Sequence, residues 1–243
     1  MCTFSCVITQ NEDVIFTSNR DERFNRSIAL LPSIYDYHDN EIIYPLDPDG
    51  GGTWLAASKN RVVCLLNGSF FPHQARPPYQ KSRGKIVLES FGYENPLSFL
   101  KYVSLNGIEP FTLIWADLDH RTVWEINWQQ QAFLSQYDLF TPKIWASVML
   151  YPEPVRRSRT QNFYQLIDNN QITQEALLDF HSCWNEDPKK SVQINIPGAV
   201  ATVSISSIVI KQDQLHFLYQ DLINSQTNIT TLKRDPFPLF KDS

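Results

Sequence analysis

Met1-Cys2-Thr3-Phe4-Ser5-Cys6-Val7-Ile8-Thr9, followed after Gln10-Asn11-Glu12-Asp13 by Val14-Ile15-Phe16-Thr17-Ser18-Asn19-Arg20-Asp21-Glu22, is the stretch from which the fold of this 243-residue chain is read. Residues 3 to 9 alternate, with Phe4, Cys6 and Ile8 on one face and Thr3, Ser5, Val7 and Thr9 on the other, which is the period of a strand. The polar tetrad is a turn, and the β-prone run after it brings the chain back antiparallel. With the turn centred between Asn11 and Glu12, paired residue numbers sum to about 23, so Cys2 is expected near Asp21 and within reach of Asn19 and Arg20, give or take a slip of one or two.

Methionine is normally trimmed before a residue as small as cysteine, which would leave a thiol and a free α-amine on Cys2. An α-amine titrates near ~8 and a thiol near ~8.5, so the amine can take the thiol proton and make a nucleophile that carries its own base. Such a nucleophile needs a carboxylate to hold its amine and a cation or amide to favour its thiolate. Asn19-Arg20-Asp21-Glu22 supplies both. Two readings stand: a catalytic N-terminus, or a cysteine that merely comes second, opposite a solvated strand end whose ion pairs contribute little.

Composition bounds the alternatives. At 42% hydrophobic and 13% aromatic, the chain can bury a large core, and with no linker, repeat or low-complexity tract it is expected to form one domain over residues 1–243. Lys plus Arg is 21 against 26 for Asp plus Glu, a net charge of −5, which argues against a nucleic-acid partner. There is no charged leader before an apolar stretch, and nothing approaches the ~20 apolar residues of a membrane span. A soluble, cytoplasmic protein with a small-molecule substrate or ligand is expected. Cys2, Cys6, Cys64 and Cys183 show neither zinc spacing nor the density of a disulfide scaffold, and His38, His73, His120, His181 and His216 show no ligand spacing. No metal and no cofactor are expected, and His181 reads as a packed side chain rather than a ligand.

An N-terminal Met-Cys with Asn-Arg-Asp-Glu about seventeen residues on resembles the NRDE family, to which the Transport and Golgi organisation type-two proteins belong. The likeness continues in Gly51-Gly52-Thr53-Trp54-Leu55-Ala56, in Leu66-Asn67 and in Ser82-Arg83-Gly84, four motifs in order over roughly the first 90 residues. The resemblance implies a four-layer αββα sandwich of the N-terminal-nucleophile hydrolase superfamily, two antiparallel sheets flanked by helices. Strands at both ends of the sequence with helices gathered in the middle favour the same arrangement, while composition alone says α+β. The resemblance also implies a C–N bond hydrolase acting on a non-peptide linear amide, with Cys2, Arg20, Asp21 and Asn67 catalytic and Asn19, Trp54 and Arg83 binding substrate. Asn67 would form part of the oxyanion hole, although Asn67-Gly68 also reads as a plain strand-ending turn. Because these proteins are linked to haem movement and to Golgi and mitochondrial homeostasis, the resemblance equally implies a non-catalytic carrier of a small hydrophobic ligand such as haem.

Local patterns fill in the rest. Residues 23–50 read as loop with one short strand at Ile42-Ile43-Tyr44. The glycines 50–52 serve either a tight turn or a close backbone approach to a ligand. Trp54 to Ala57 and Arg61 to Asn67 form a hairpin, the second strand buried on both faces. Ser82 caps a helix to about Phe91, and Asn95-Pro96 starts another to about Ser104, with Leu97, Leu100 and Val103 on one stripe. Phe111 to Leu118 and Thr122 to Trp128 form a third hairpin. Helices are expected from Glu153 to about Asp168 and after Thr173, the latter with Leu177, Phe180 and Trp184 on one face. Val200 to Ile210 and Leu215 to Tyr219 are closing strands. Two departures from the family pattern stand out: Ala146-Ser147-Val148-Met149 where relatives have Leu-Ser-Asn-Ala, and Ser204-Ile205-Ser206-Ser207 where they have Thr-Arg-Ser-Ser.

Overall fold

The computed structural model describes residues 3–38, 40–169, 172–187 and 190–235. Cys2 lies outside these residues. In chain order the elements are β1 (Thr3–Ile8), β2 (Val14–Arg23), β3 (Leu30–Tyr37), β4 (Asn40–Leu46), β5 (Leu55–Ser58), β6 (Arg61–Asn67), α1 (Arg83–Glu89), α2 (Pro96–Tyr102), β7 (Phe111–Asp117), β8 (Thr122–Gln129), β9 (Gln131–Asp138), β10 (Lys143–Ala146), α3 (Glu153–Asn169), α4 (Gln174–Ser182), β11 (Asn195–Ile196), β12 (Val200–Ile210), β13 (Gln214–Asp221) and β14 (Gln226–Lys233). They form two antiparallel sheets, one ordered β10-β1-β2-β12-β13-β14 with β11 beside β12, the other β3-β4-β5-β6-β7-β8-β9.

Three apolar layers hold four layers of structure together. Phe4, Phe16, Ile208 and Phe217 of the first sheet meet Leu55, Cys64, Leu66 and Ile114 of the second. Full burial of a phenylalanine contributes about 1.5–3 kcal/mol, and Phe4 and Phe16 also stack at 5.9 Å. The outer face of the second sheet, including Val63, Leu65 and Trp115, packs on Ile86 of α1 and Phe99 of α2. The outer face of the first, through Val7, Ile15 and Val209, packs on Phe163 of α3 and Leu177 of α4. This is the αββα sandwich. β6 sends Val63 and Leu65 to one layer and Cys64 and Leu66 to another, so its unbroken apolar run follows from burial on both faces.

The opening hairpin pairs Thr3 with Asn19 and Ile8 with Val14, each pair summing to 22, a slip of one from the expected register. The loop expected over 23–50 is instead largely the β3–β4 hairpin. In α2 the buried residues are Pro96 and Phe99, while Leu97 is 62% exposed. The Asn95–Ser98 capping box sets the phase of that helix and turns Leu97 outward. In α4, Leu177 and His181 are buried, whereas Trp184 lies beyond the helix end and is exposed. No helix among the described residues is long and apolar enough to cross a membrane.

Candidate active site

The period of β2 decides which of its residues can share a site. Phe16 joins the layer between the sheets and Ile15 the layer under α3 and α4, so Ser18 and Arg20 fall on the inner face and Asn19 and Asp21 on the outer. Asn19 is fully buried: its Nδ2 donates to the His181 carbonyl at 2.9 Å and its Oδ1 meets His181 Nδ1. Asp21 accepts from the Tyr151 hydroxyl and from Thr202 Oγ1 at 2.5 Å.

Arg20, 2% exposed, lies over the Trp54 ring at 4.4 Å, with Asp47 Oδ1 3.8 Å and Glu22 Oε2 3.9 Å from Nη2. Cation and ring face together form one wall of a cleft of about 520 Å³. Asn67, at the end of β6, and Arg83, in the first turn of α1, reach the same cleft. Ser82 caps α1 by accepting from the Gly84 N–H at 3.3 Å, which fixes where Arg83 leaves the backbone. Arg83 Nη2 sits 3.0 Å from Glu109 Oε2, and Nη1 donates to the Pro110 carbonyl at 3.1 Å. Burial pulls the Arg83 pKa below its ordinary value against the opposing effect of Glu109. Glu109 is also held by His73 Nε2 at 3.1 Å. Five cationic side chains and three carboxylates line the space, giving it a net positive field.

Asn67 is held by its backbone: Ser147 Oγ donates to its carbonyl at 2.8 Å. Its side-chain Oδ1 is buried with no hydrogen-bond partner. Next to the cleft, and sharing Arg20, Glu22, Arg23 and Arg26 with it, is a lobe of about 210 Å³ whose apolar wall is Phe24, Ile28, Ala29, Val203 and Ile223.

Of the residues singled out from sequence, the structure brings Arg20, Trp54, Asn67 and Arg83 to one cleft and puts Asn19 and Asp21 on the opposite face of β2. The glycine run approaches protein, not an open pocket: a Cβ on Gly52 would stand 2.3 Å from the Gly84 carbonyl carbon. Val148 does not line the cleft; it packs on Gly68 and faces a different cavity. Ile205 is fully buried opposite Asn19, on the helix-facing side. Glu109, Lys81 and Asp47 line the cleft and were not picked out, because no local pattern marks them. His181 is packed, 2.8 Å from Ser5 Oγ, its pKa pushed down to about 3 by burial and then by Arg159. Among the described residues no three His, Cys, Asp or Glu side chains are placed to hold a metal.

Two facing antiparallel sheets between helical layers form an αββα sandwich like that of the N-terminal-nucleophile hydrolases. A solved structure of the Caenorhabditis elegans ortholog of N-acylethanolamine-hydrolyzing acid amidase shares it, with a TM-score of 0.51 and 10% identity over 85% of this chain and 92% of that one. Within that class, the chain belongs to the family described as Transport and Golgi organisation 2, whose model matches residues 1–224. No curated protein matches the sequence.

Proposed function

We propose that the protein hydrolyses the C–N bond of a non-peptide linear amide, with Cys2 as nucleophile. The observation that carries this reading is the convergence of Arg20, Trp54, Asn67 and Arg83, from four separate sequence motifs, on one cleft. In this reading the Cys2 amine, free once Met1 is removed, takes the thiol proton and the thiolate attacks the amide carbonyl. Asn67 Nδ2 and a backbone N–H hold the oxyanion. The tetrahedral intermediate collapses, the leaving amine takes the proton, and water then releases the acyl group from the thioester. Asp21, on the face of β2 turned from the cleft and fixed there by Thr202 and Tyr151, is two residues past the Thr3–Asn19 pair and orients the nucleophile's amine from that side, and Arg20 supplies positive charge. Arg83, braced by Glu109, holds the polar end of the substrate. The free thiols Cys6, Cys64 and Cys183 support a reducing, cytoplasmic setting for this chemistry.

One observation favours a second reading. The apolar lobe beside Arg20 suits a carrier of a small hydrophobic ligand such as haem, which would place its apolar edge there and a charged group on the arginines. The N-terminus separates the two readings, since hydrolysis needs a free Cys2 amine and carriage does not. Intact mass of the protein purified from its source, followed by turnover of a panel of acyl amides by the protein and by Cys2→Ser, is the test. Loss of Met1 with Cys2-dependent turnover is expected. Retained Met1 in fully processed protein would sink the hydrolase reading.

A further inference from the structure

A second cavity, of about 260 Å³, has no lining residue in common with the cleft. It lies on the other side of Asn67-Gly68, between the turn after β6, the inner residues of β7 and β8, the strand β10 and the first turns of α3. Its volume is just under the ~300 Å³ at which pockets for drug-sized ligands begin, so its occupant is small. Three of its polar side chains have capacity that the protein does not use.

Arg159 is 1% exposed and, among the described residues, is held by a hydroxyl, two carbonyls and a ring, not by a carboxylate. Its guanidinium donates to Thr3 Oγ1 at 2.6 Å and to the carbonyls of Ser191 and Val192 at 3.1 Å each, and it lies 3.6 Å over the Tyr151 ring. These groups solvate the cation without neutralising it, and two of its five N–H groups are left over. Arg156, three residues earlier and on the same face of α3, has a buried Nε with no hydrogen-bond partner and no carboxylate among the described residues. Ser69 is 3% exposed, and its hydroxyl is a buried orphan on the cavity wall. A buried cation without a counter-charge and a buried polar atom without a partner are both costly, and an anion in this cavity would relieve both.

The charge of the site narrows the anion. Glu125 also lines it but is already saturated, accepting from Asn127 Nδ2 at 2.9 Å, Trp145 Nε1 at 2.8 Å and Tyr137 Oη at 3.2 Å. Two arginines and one carboxylate leave a single net positive charge, which matches a monoanion and disfavours a dianionic phosphate. Beside these groups the wall is apolar: Leu66, Ile144, Val148 and the Phe70 ring, which stacks edge-on against Phe133 at 5.2 Å. We propose that this cavity is a binding site for a small monocarboxylate with an apolar or aromatic tail, its carboxylate on Arg156, Arg159 and Ser69 and its tail against Phe70. The site stands apart from the hydrolase reading and does not depend on it.

Calorimetry on the full chain tests the proposal with three probes of matched tail length: 3-phenylpropanoate, the neutral 3-phenylpropanamide and benzyl phosphate. The carboxylate is expected to bind, with the amide and the phosphate at least tenfold weaker, about the loss expected for one charge-assisted hydrogen bond. Arg156→Gln, at a partly exposed helix position, should weaken the carboxylate tenfold to a hundredfold while the melting temperature holds. Ser69→Ala should weaken it without destabilising the free protein, because the hydroxyl has no protein partner to lose. Arg83→Gln, in the other cleft, should leave carboxylate binding unchanged. The proposal is overturned if the amide or phosphate binds as well as the carboxylate, if none binds, or if Arg83→Gln and not Arg156→Gln removes binding.

Discussion

At Asn67 the backbone and the side chain are held by different means. Ser147 secures the main-chain oxygen, while the side-chain Oδ1 has no partner. Truncation to Asn67→Ala therefore leaves the Ser147 bond in place, whereas an oxyanion donor removed from a hydrolase typically costs ~10²- to 10³-fold in kcat. The expected outcome is that loss of turnover with a melting temperature near the parent's; equal damage to stability would make Asn67 a structural residue only. The thiols give a second prediction. Burial pushes the Cys64 pKa up to about 12 and raises that of Cys6 as well, so neither offers thiolate or access near neutral pH. Peptide mapping after alkylation of the native protein should find Cys2 modified ahead of the exposed Cys183, and Cys6 and Cys64 untouched until unfolding. Comparable labelling of Cys2 and Cys64 would remove the case for an activated N-terminal thiol. Arg20, Trp54, Asn67 and Arg83 are legible because each sits in a short motif; a motif does not say which face of its strand each residue takes, and Asn19 and Asp21 flank Arg20 on the other face of β2. Arg156 and Ser69 carried no such mark, since α3 and the turn after β6 meet only in three dimensions.

Gly52 shows what an element needs from a single backbone position. The chain entering β5 passes so close to the first turn of α1 that a Cβ on Gly52 would lie 2.3 Å from the Gly84 carbonyl carbon and 2.5 Å from the Lys85 nitrogen, both backbone atoms that cannot rotate away. The Thr53 N–H donates to the Gly84 carbonyl at 3.1 Å across the same contact. Gly52→Ala must push α1 and its Arg83 away from Trp54, so about 1–3 kcal/mol of stability should be lost through overpacking, with ligand affinity in the cleft falling as well. Unchanged denaturant midpoint and affinity would show that the junction yields more easily than its geometry indicates. The elements hardest to read were β3, β9 and β14, each at the edge of a sheet. An edge strand needs partners on one side only and is free to carry polar residues and proline. β3 accordingly holds Pro32 and β9 shows mostly exposed or half-exposed residues, so neither advertises itself by an apolar alternation. The central strands β1, β6, β7 and β12, buried almost throughout, were plain in the sequence for the opposite reason.

For the whole molecule, strands at both ends of the chain with helices gathered in the middle favour the sandwich that the resemblance also implies, whereas composition alone says only α+β. The helices cover outer faces that hydropathy would have assigned to solvent: Thr3, Ser5, Thr17, Asn19 and Asp21 are all buried on the first sheet. That polar layer makes the packing of helices on sheet sensitive to pH. His181 on α4 sits between them, its Nδ1 on Asn19 Oδ1 and its Nε2 2.8 Å from Ser5 Oγ. Because Asn19 Nδ2 already donates to the His181 carbonyl, Asn19 Oδ1 receives the Nδ1 proton and Nε2 accepts from Ser5, which satisfies a neutral ring. Burial, with Arg159 nearby, holds the folded pKa at about 3, against ~6.5 in the unfolded chain. The unfolded state therefore takes up the proton first. The stabilisation is complete above ~6.5 and drains away as pH falls toward 3, at ~1.4 kcal/mol per pH unit. By pH 5 that amounts to about 2 kcal/mol from this one side chain. Urea midpoints measured from pH 7.5 to 5 should fall more steeply for the protein than for His181→Gln, which starts lower because its packing is poorer but has nothing to titrate. Parallel profiles would mean that the ring stays neutral without cost, and that acid sensitivity comes from the carboxylates alone.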